Sequence, residues 1–320
     1  MIWTNSKYVG DGDVFLATNK NYKYIDLNLL KKVSEIVFVS DENKYIYDNY
    51  YDKIKDIKLI GITGTNGKTT TCYLIYQMLN LIGIKTAYIG TIGFYIDDMV
   101  FKLDNTTPEI SLLYNMLYYA KKRKCKVVVM EVSSHALKQD RTYGLLFDSV
   151  LVTNITRDHL DYHKTLKDYI KSKQKLIYLT RGKKICILNK KDKYYKKFKT
   201  KSNNNIIIGK DVKITLVLMN SSNTYVIVKD TVKRCFVLPF IGLFNVYNFL
   251  YAYYAIKSLG YNLKSLKDKY YLLKEPPGRM EKVKYKSNNI FIDYAHTPDA
   301  VLNVLKTVGK VKNNGIITII

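Results

Sequence analysis

Apolar residues along the chain change their period several times, and each change predicts an element. Lys58-Leu59-Ile60-Gly61-Ile62-Thr63 is a nearly unbroken apolar run, as expected of a strand buried on both faces. A Gly-rich turn from Gly64 to Gly67 follows, and then a helix predicted over Lys68 to Leu81. Further buried strands are predicted at Thr86 to Ile89, Val127 to Met130, Ser149 to Val152 and Ile185 to Leu188. They alternate with helices near Glu109 to Arg123 and Leu166 to Leu179. Such alternation implies an α/β protein with a doubly wound, mainly parallel sheet.

The pattern differs on either side of this core. Met1 to Asp56 is polar and Tyr-rich, with a short strand at Asp13 to Ala17 and a helix at Leu27 to Ile36; residues 1–57 are expected to form a small cap domain. Between Lys213 and Leu238, short β segments surround the turn Asn220-Ser221-Ser222-Asn223, so an antiparallel addition is predicted. Helices follow at Phe244 to Leu259 and Leu263 to Leu273. Pro276-Pro277-Gly278 breaks the chain and closes a central domain spanning 58–276. The remainder, 277–320, is predicted to hold a hairpin about Ser287-Asn288-Asn289, a helix from Pro298 to Val308 and a strand from Ile316 to Ile320. It is expected to be the beginning of a C-terminal α/β domain, incomplete where the sequence stops.

Composition narrows the classes. With 320 residues, 47% of them apolar, the chain can build more than one core. It has no run of 18 apolar residues and no basic-then-apolar leader at Met1 to Tyr8, which predicts a cytoplasmic protein without membrane contact. Cys72, Cys125, Cys186 and Cys235 are too scattered for a disulfide framework or a zinc site and are expected to be small buried apolar residues. The net charge of +25 raises nucleic-acid binding, but Lys is spread along the whole chain without a compact stripe; no nucleic-acid partner is expected, whereas anionic nucleotides would be attracted.

The turn Gly64-Thr65-Asn66-Gly67-Lys68-Thr69-Thr70, between a predicted strand and a predicted helix, has the context of a phosphate-binding loop. Backbone N–H groups and the helix N-terminus would face phosphates, Lys68 would neutralise the β and γ phosphates of ATP, and Thr69 would ligate Mg²⁺. Ile62 stands where the strict pattern has its first Gly. Glu131 ends a predicted strand at the sheet edge where such folds bind ligands, within reach of an ion beside Thr69. Phe244-Asn245-Val246-Tyr247-Asn248 opens a helix whose Asn side chains either cap the backbone or recognise adenine.

Gly-Thr-Asn-Gly-Lys-Thr resembles the loop of the Mur ligase family, and companion segments follow in the family's order over nearly the whole chain. Asn105-Thr106-Thr107-Pro108-Glu109, Glu131-Val132-Ser133-Ser134-His135-Ala136-Leu137 with Gln139 and Arg141, and Thr153-Asn154-Ile155-Thr156-Arg157-Asp158-His159-Leu160-Asp161-Tyr162-His163 are similar to its signatures, in the combination of the MurE branch. The resemblance implies that Asn105, Thr106, Thr107, Ser133, Gln139 and Arg141 contact the muramoyl dipeptide. His159 would ligate a second Mg²⁺, and Lys173 would be the lysine that the family carries as a carbamate, with two oxygens for metal in place of an ammonium. Gly278-Arg279-Met280-Glu281 and Asp293-Tyr294-Ala295-His296 resemble the hinge and the start of the last domain, giving Arg279 to phosphate, Asp293 to ribose and His296 to the nucleotide region. Asn5-Ser6-Lys7 resembles the uridine-binding start, with Ser6 the contact and Lys7 in place of the usual Arg.

The activity so implied is ATP-dependent phosphorylation of the D-Glu carboxylate of UDP-N-acetylmuramoyl-L-alanyl-D-glutamate. The amine of a diamino acid, meso-diaminopimelate or alternatively L-lysine, then attacks the acyl phosphate. ATP and Mg²⁺ are the expected cofactors, and Lys68, Glu131, His159 and Lys173 the catalytic set of an expected monomer. Two alternatives stay open: a shortened family member that binds nucleotide without ligating, and a basic ATPase that binds nucleic acid, which the spacing of Glu131, His159 and Lys173 disfavours.

Overall fold

The structure, a computed structural model, describes residues 1–286, 288–312 and 315–319. The run Lys58–Thr63 is an inner strand of an eight-stranded sheet ordered Asn204–Ile208, Thr180–Asn189, Phe147–Val152, Lys58–Thr63, Val127–Glu131, Thr86–Gly90, Gly93–Ile96, Met99–Phe101. The first six strands run parallel and the last two form antiparallel additions at one edge. Alternate side chains of each strand feed opposite cores. Leu59, Val128, Met130, Val150 and Cys186 pack with helices Glu42–Ile54, Ile110–Lys122 and Leu166–Tyr178. Ile60, Ile62, Val129 and Leu151 pack with helices Lys68–Leu81 and Leu243–Ser258. Two covered faces explain why these strands are apolar at nearly every position.

Residues 213–238 form the expected antiparallel addition, strands Lys213–Met219, Thr224–Lys229 and Lys233–Leu238. Val226, Val228, Phe236 and Leu238 join the core beneath Leu243–Ser258. The amino-terminal sheet is parallel, in the order Ile2–Trp3, Asp13–Ala17, Val33–Phe38. Among the described residues no helix is long and apolar enough to cross a membrane.

Several expectations need correction. The helix expected over Leu27 to Ile36 ends at Lys32, because β-branched Val33, Ile36 and Val37 continue as a strand paired with Asp13–Ala17. Helix Glu42–Ile54 was not anticipated; Asp41 caps it and Ile46, Tyr50 and Ile54 bury one face. The segment expected as a helix over Leu263 to Leu273 is a 3₁₀ helix, Lys264–Leu272. Asn288 and Asn289 lie in strand Asn288–Ile292, paired with Glu281–Tyr285, so they do not form the turn; Ser287 lies outside the described residues. Among the described residues, 316–319 pair with no strand; Ile320 lies outside them. Cys72, Cys125 and Cys186 are buried, but Cys235 is exposed on the outer face of its strand.

Candidate active site

Parallel register brings the chemistry to one edge. Ile62 pairs with Glu131 and Thr63 with Val152, so the loop after Thr63, the carboxylate of Glu131 and the segment after Val152 emerge together. Gly64 (φ 145) turns the chain at this edge. A Cβ there would overlap the Thr153 hydroxyl, so only glycine fits. Thr153 Oγ1 and Asn154 Nδ2 donate to the Asn66 carbonyl at 2.6 and 2.9 Å, and Asn66 N–H donates to Asn154 Oδ1 at 3.0 Å. Thr153 and Asn154, quoted above only as part of a motif, are thus what holds the loop. Lys68 folds back, donating to the Gly64 and Thr65 carbonyls at 2.9 Å each. Burial lowers its pKa, while Glu131 and Asp158 favour its charge and Arg279 opposes it.

Thr69, in the first turn of Lys68–Leu81, donates to Glu131 Oε2 at 3.0 Å; Glu131 is fully buried. The Glu131 carbonyl accepts from Thr107 Oγ1 at 2.9 Å, and Ser133 N–H donates to that same hydroxyl at 3.0 Å. Arg141 donates to the Thr107 carbonyl at 2.8 Å and to Gln139 Oε1 at 2.8 Å, and Thr106 Oγ1 lies 3.0 Å from Thr91 Oγ1. Thr106, Thr107, Ser133, Gln139 and Arg141 therefore form one connected patch beside Glu131.

Lys173 is 1% exposed, whereas Lys171 and Lys175 on the same helix are exposed. Its ammonium donates to the Gly64 carbonyl at 2.9 Å and sits over the Tyr169 ring. Burial, and then the neighbouring Lys68, pushes its pKa well below 10.5. A lysine so placed favours the neutral, nucleophilic amine. His159 adopts a left-handed conformation (φ 50) with its N–H on Asp158 Oδ1 at 2.9 Å. Burial lowers its pKa, Asp158 opposes that, and Lys173 and Lys68 add to it.

The remaining expected residues fall into two places. Gly242, not an Asn, stands at the N-cap of Leu243–Ser258, and no side chain caps that end. Asn245 instead donates to the Ile241 carbonyl and accepts from Asn248, and Asn248 accepts from Thr71 Oγ1 at 3.3 Å, which joins this helix to helix Lys68–Leu81. At the hinge, Asp293 accepts from Met280 and Ala295 N–H groups at 2.7 and 2.8 Å, so both its oxygens already hold backbone. Arg279 stacks on Tyr294, and His296 is held by the Tyr294 carbonyl. Away from the loop, Ser6 lines a cavity of about 290 Å³ with Asn5, Asn21 and Glu109, and Asn105 lines a neighbouring one of about 130 Å³ that shares Asn5 and Glu109.

A glycine-turned loop at the carboxyl edge of a doubly wound sheet places the chain among phosphate-loop α/β proteins. Residues 62–256 match the family described as Mur ligase middle domain, and the chain belongs to the Mur ligase family. It is 39% identical over 272 residues to UDP-N-acetylmuramoyl-L-alanyl-D-glutamate--2,6-diaminopimelate ligase 1 of Clostridium acetobutylicum, covering 81% of this chain and 55% of that one. The enzyme of that name from Aquifex aeolicus is 34% identical, over 99% of this chain and 70% of its own. A solved structure of a UDP-N-acetylmuramoyl-L-alanyl-D-glutamate--2,6-diaminopimelate ligase superposes with a TM-score of 0.79 at 24% identity, covering 98% of this chain and 70% of that one. MurF from Thermotoga maritima in complex with ADP superposes at 0.72 and 18% identity, covering 95% and 73%. The chain spans 55–60% of the length of the first curated relatives it matches.

Proposed function

We propose that the protein takes part in ATP-dependent ligation of diaminopimelate to UDP-N-acetylmuramoyl-L-alanyl-D-glutamate in the cytoplasm, acting as a monomer. The names of its relatives suggest this reaction. The observation that carries it is the buried Lys173 against the Gly64 carbonyl of the phosphate loop, with Thr69 and Glu131 at the same sheet edge.

Loop N–H groups and Lys68 would bind the ATP phosphates, with Asn245 near the adenine side and Arg279 reaching the phosphates from the hinge. Asp293 and His296 would lie toward the ribose. Thr107, Ser133, Gln139 and Arg141 would orient the D-Glu carboxylate, and Ser6, Asn105 and Thr106 would hold the rest of the nucleotide-sugar dipeptide. The γ-phosphoryl group passes from ADP oxygen to a carboxylate oxygen; the incoming amine then attacks the acyl carbon and phosphate leaves. Positioning and charge neutralisation supply the catalysis, without a covalent enzyme nucleophile.

For Mg²⁺ the donors fit: Glu131 and Thr69 offer oxygens side by side. Among the described residues no group of three or more His, Cys, Asp or Glu is placed to hold a metal, so phosphate and water would complete the shell, as is usual for Mg²⁺. Lys173 as an ammonium does not fit beside a cation; as a carbamate it would, and His159 would be a further ligand. When bound, Mg²⁺ neutralises charge on the transferring phosphoryl oxygens.

Phosphate release from ATP is the test, with UDP-N-acetylmuramoyl-L-alanyl-D-glutamate and either meso-diaminopimelate or L-lysine. Release that requires the dipeptide substrate and diaminopimelate is the expected outcome. Release with lysine alone would change the amine, and nucleotide binding without release would refute ligation by this chain.

A further inference from the structure

Glu131 is fully buried and its two oxygens are not equivalent. Oε1 accepts from the Tyr88 hydroxyl at 2.6 Å and from Thr91 N–H at 2.9 Å; Oε2 accepts from Thr69 Oγ1 at 3.0 Å and Thr91 Oγ1 at 3.3 Å. Both donors on Oε1 are fixed. Thr91 N–H is backbone, and the Tyr88 ring is fully buried and packed edge-on against Tyr95 and Tyr73, with centroids 5.5 and 6.2 Å away. Both donors on Oε2 are hydroxyls, which can rotate and offer a lone pair. A cation arriving beside Thr69 therefore finds one oxygen of Glu131 whose hydroxyl partners can turn away and one whose partners cannot.

We propose that Tyr88 is a positioning residue: its hydroxyl pins Glu131 Oε1 so that Oε2 alone faces Thr69 and the cation. Gly90 supplies independent support. Its φ is not in the left-handed region, yet a Cβ built on it would overlap both the Tyr88 hydroxyl and Glu131 Oε1. Glycine is needed there to leave room for the phenol–carboxylate pair. Neither Tyr88 nor Gly90 stands out in the sequence, because the one lies within an apolar strand and the other at its end. Groups that hold a ligand's second oxygen tune metal affinity without touching the metal.

This inference rests on Glu131 being a metal ligand, so the test separates the two. Tyr88→Phe keeps the ring packing and removes only the oxygen. Free Mn²⁺ is measured by electron paramagnetic resonance in the presence of AMPPCP for wild type, Tyr88→Phe and Glu131→Gln, with AMPPCP binding in EDTA measured alongside. The expected result is Mn²⁺ affinity about tenfold weaker in Tyr88→Phe and weaker still in Glu131→Gln, with metal-free nucleotide binding unchanged in Tyr88→Phe. Unchanged Mn²⁺ affinity in Tyr88→Phe beside a weakened Glu131→Gln overturns the role of Tyr88 alone. Unchanged affinity in Glu131→Gln removes the metal ligand itself, and the role of Tyr88 with it. Parallel loss of metal-free nucleotide binding in Tyr88→Phe would make Tyr88 a packing residue of the loop and overturn its positioning role.

Discussion

Glu131 and Lys173 at the phosphate edge and the Lys7–Asp104 pair beside the cap-side cavities are all charged side chains, yet they are held in opposite ways. At the phosphate edge Glu131 and Lys173 are at most 1% exposed and are fixed by buried hydrogen bonds. Around the cap, Lys7 reaches Asp104 at 3.2 Å with side chains 67% and 69% exposed, and Tyr8 donates to the same carboxylate from the surface. A buried polar group must have its partners in place, so its geometry is set before any ligand arrives. A solvated pair exchanges partners with water at little cost and can be rearranged by a ligand. Substitutions at the phosphate edge should therefore cost far more than those at the cap.

The largest effect is expected at Lys68, whose ammonium folds onto the loop carbonyls of Gly64 and Thr65. Lys68→Ala should lower substrate-dependent phosphate release by about 10²–10³-fold, as does removal of one preorganised charge-stabilising group elsewhere. Next comes Gly64→Ala, which forces a Cβ into Thr153 Oγ1 at a backbone angle that L-residues avoid. It should cost about 3 kcal/mol in urea unfolding. A cost below about 1 kcal/mol would mean that the loop relaxes easily, and the contrast with the cap would fail.

The two regions also differed in how far the sequence disclosed them. Strand Lys58–Thr63 and helix Lys68–Leu81 were predicted with their observed bounds, because an apolar run, a glycine turn and a helical period follow one another without overlap. The strands about Thr86, Val127, Ser149 and Ile185 followed from their apolar runs, whereas Gly93–Ile96, Met99–Phe101 and Asn204–Ile208 of the same sheet were not anticipated. Helix Glu42–Ile54 escaped because its buried face is only Ile46, Tyr50 and Ile54 in a polar, Tyr-rich stretch. Lys173 was found through resemblance, although spacing held the clue: it lies four residues after Tyr169 and three before Leu176, both buried. Flanking Lys171 and Lys175 hid it. No local pattern could pair Tyr88 with Glu131 or Asn154 with Asn66, since such contacts depend on sheet order and on the path of loops between distant strands.

A buried carboxylate outside the site tests whether burial, rather than catalysis, sets the cost. Asp230, at 9% side-chain exposure, joins the antiparallel addition to helix Leu243–Ser258. Burial alone would raise its pKa, but the Lys257 ammonium at 2.7 Å, Val232 N–H at 2.9 Å and the Tyr254 hydroxyl at 3.0 Å together hold it well below 3.8. Asp230→Asn should lower stability by about 1–2 kcal/mol, the worth of hydrogen bonds to a charged group with a half-exposed partner. Because the folded pKa is depressed, this stabilisation is complete above about pH 4 and disappears as pH falls through the folded value. Urea midpoints of wild type and Asp230→Asn should differ at pH 7 and converge in acid; a gap independent of pH would assign the cost to packing.

The smallest effect belongs to Lys7. Its side chain and that of Asp104 are both mostly in water, and the pair borders the cavity that Asn105 lines. Attraction between such groups is screened, and holding two long side chains together costs rotamer entropy, so Lys7→Ala should leave the melting temperature unchanged. Binding is the more revealing measurement. If the cap side chains settle only around the ligand, affinity for UDP-N-acetylmuramoyl-L-alanyl-D-glutamate should fall by no more than about threefold, and salt should weaken wild type and Lys7→Ala differently by about that factor. A much larger loss, with stability intact, would mean that Lys7 meets a phosphate of the nucleotide directly. The exposed ion pair would then be the resting position of a binding group, and precision would extend to both ends of the molecule.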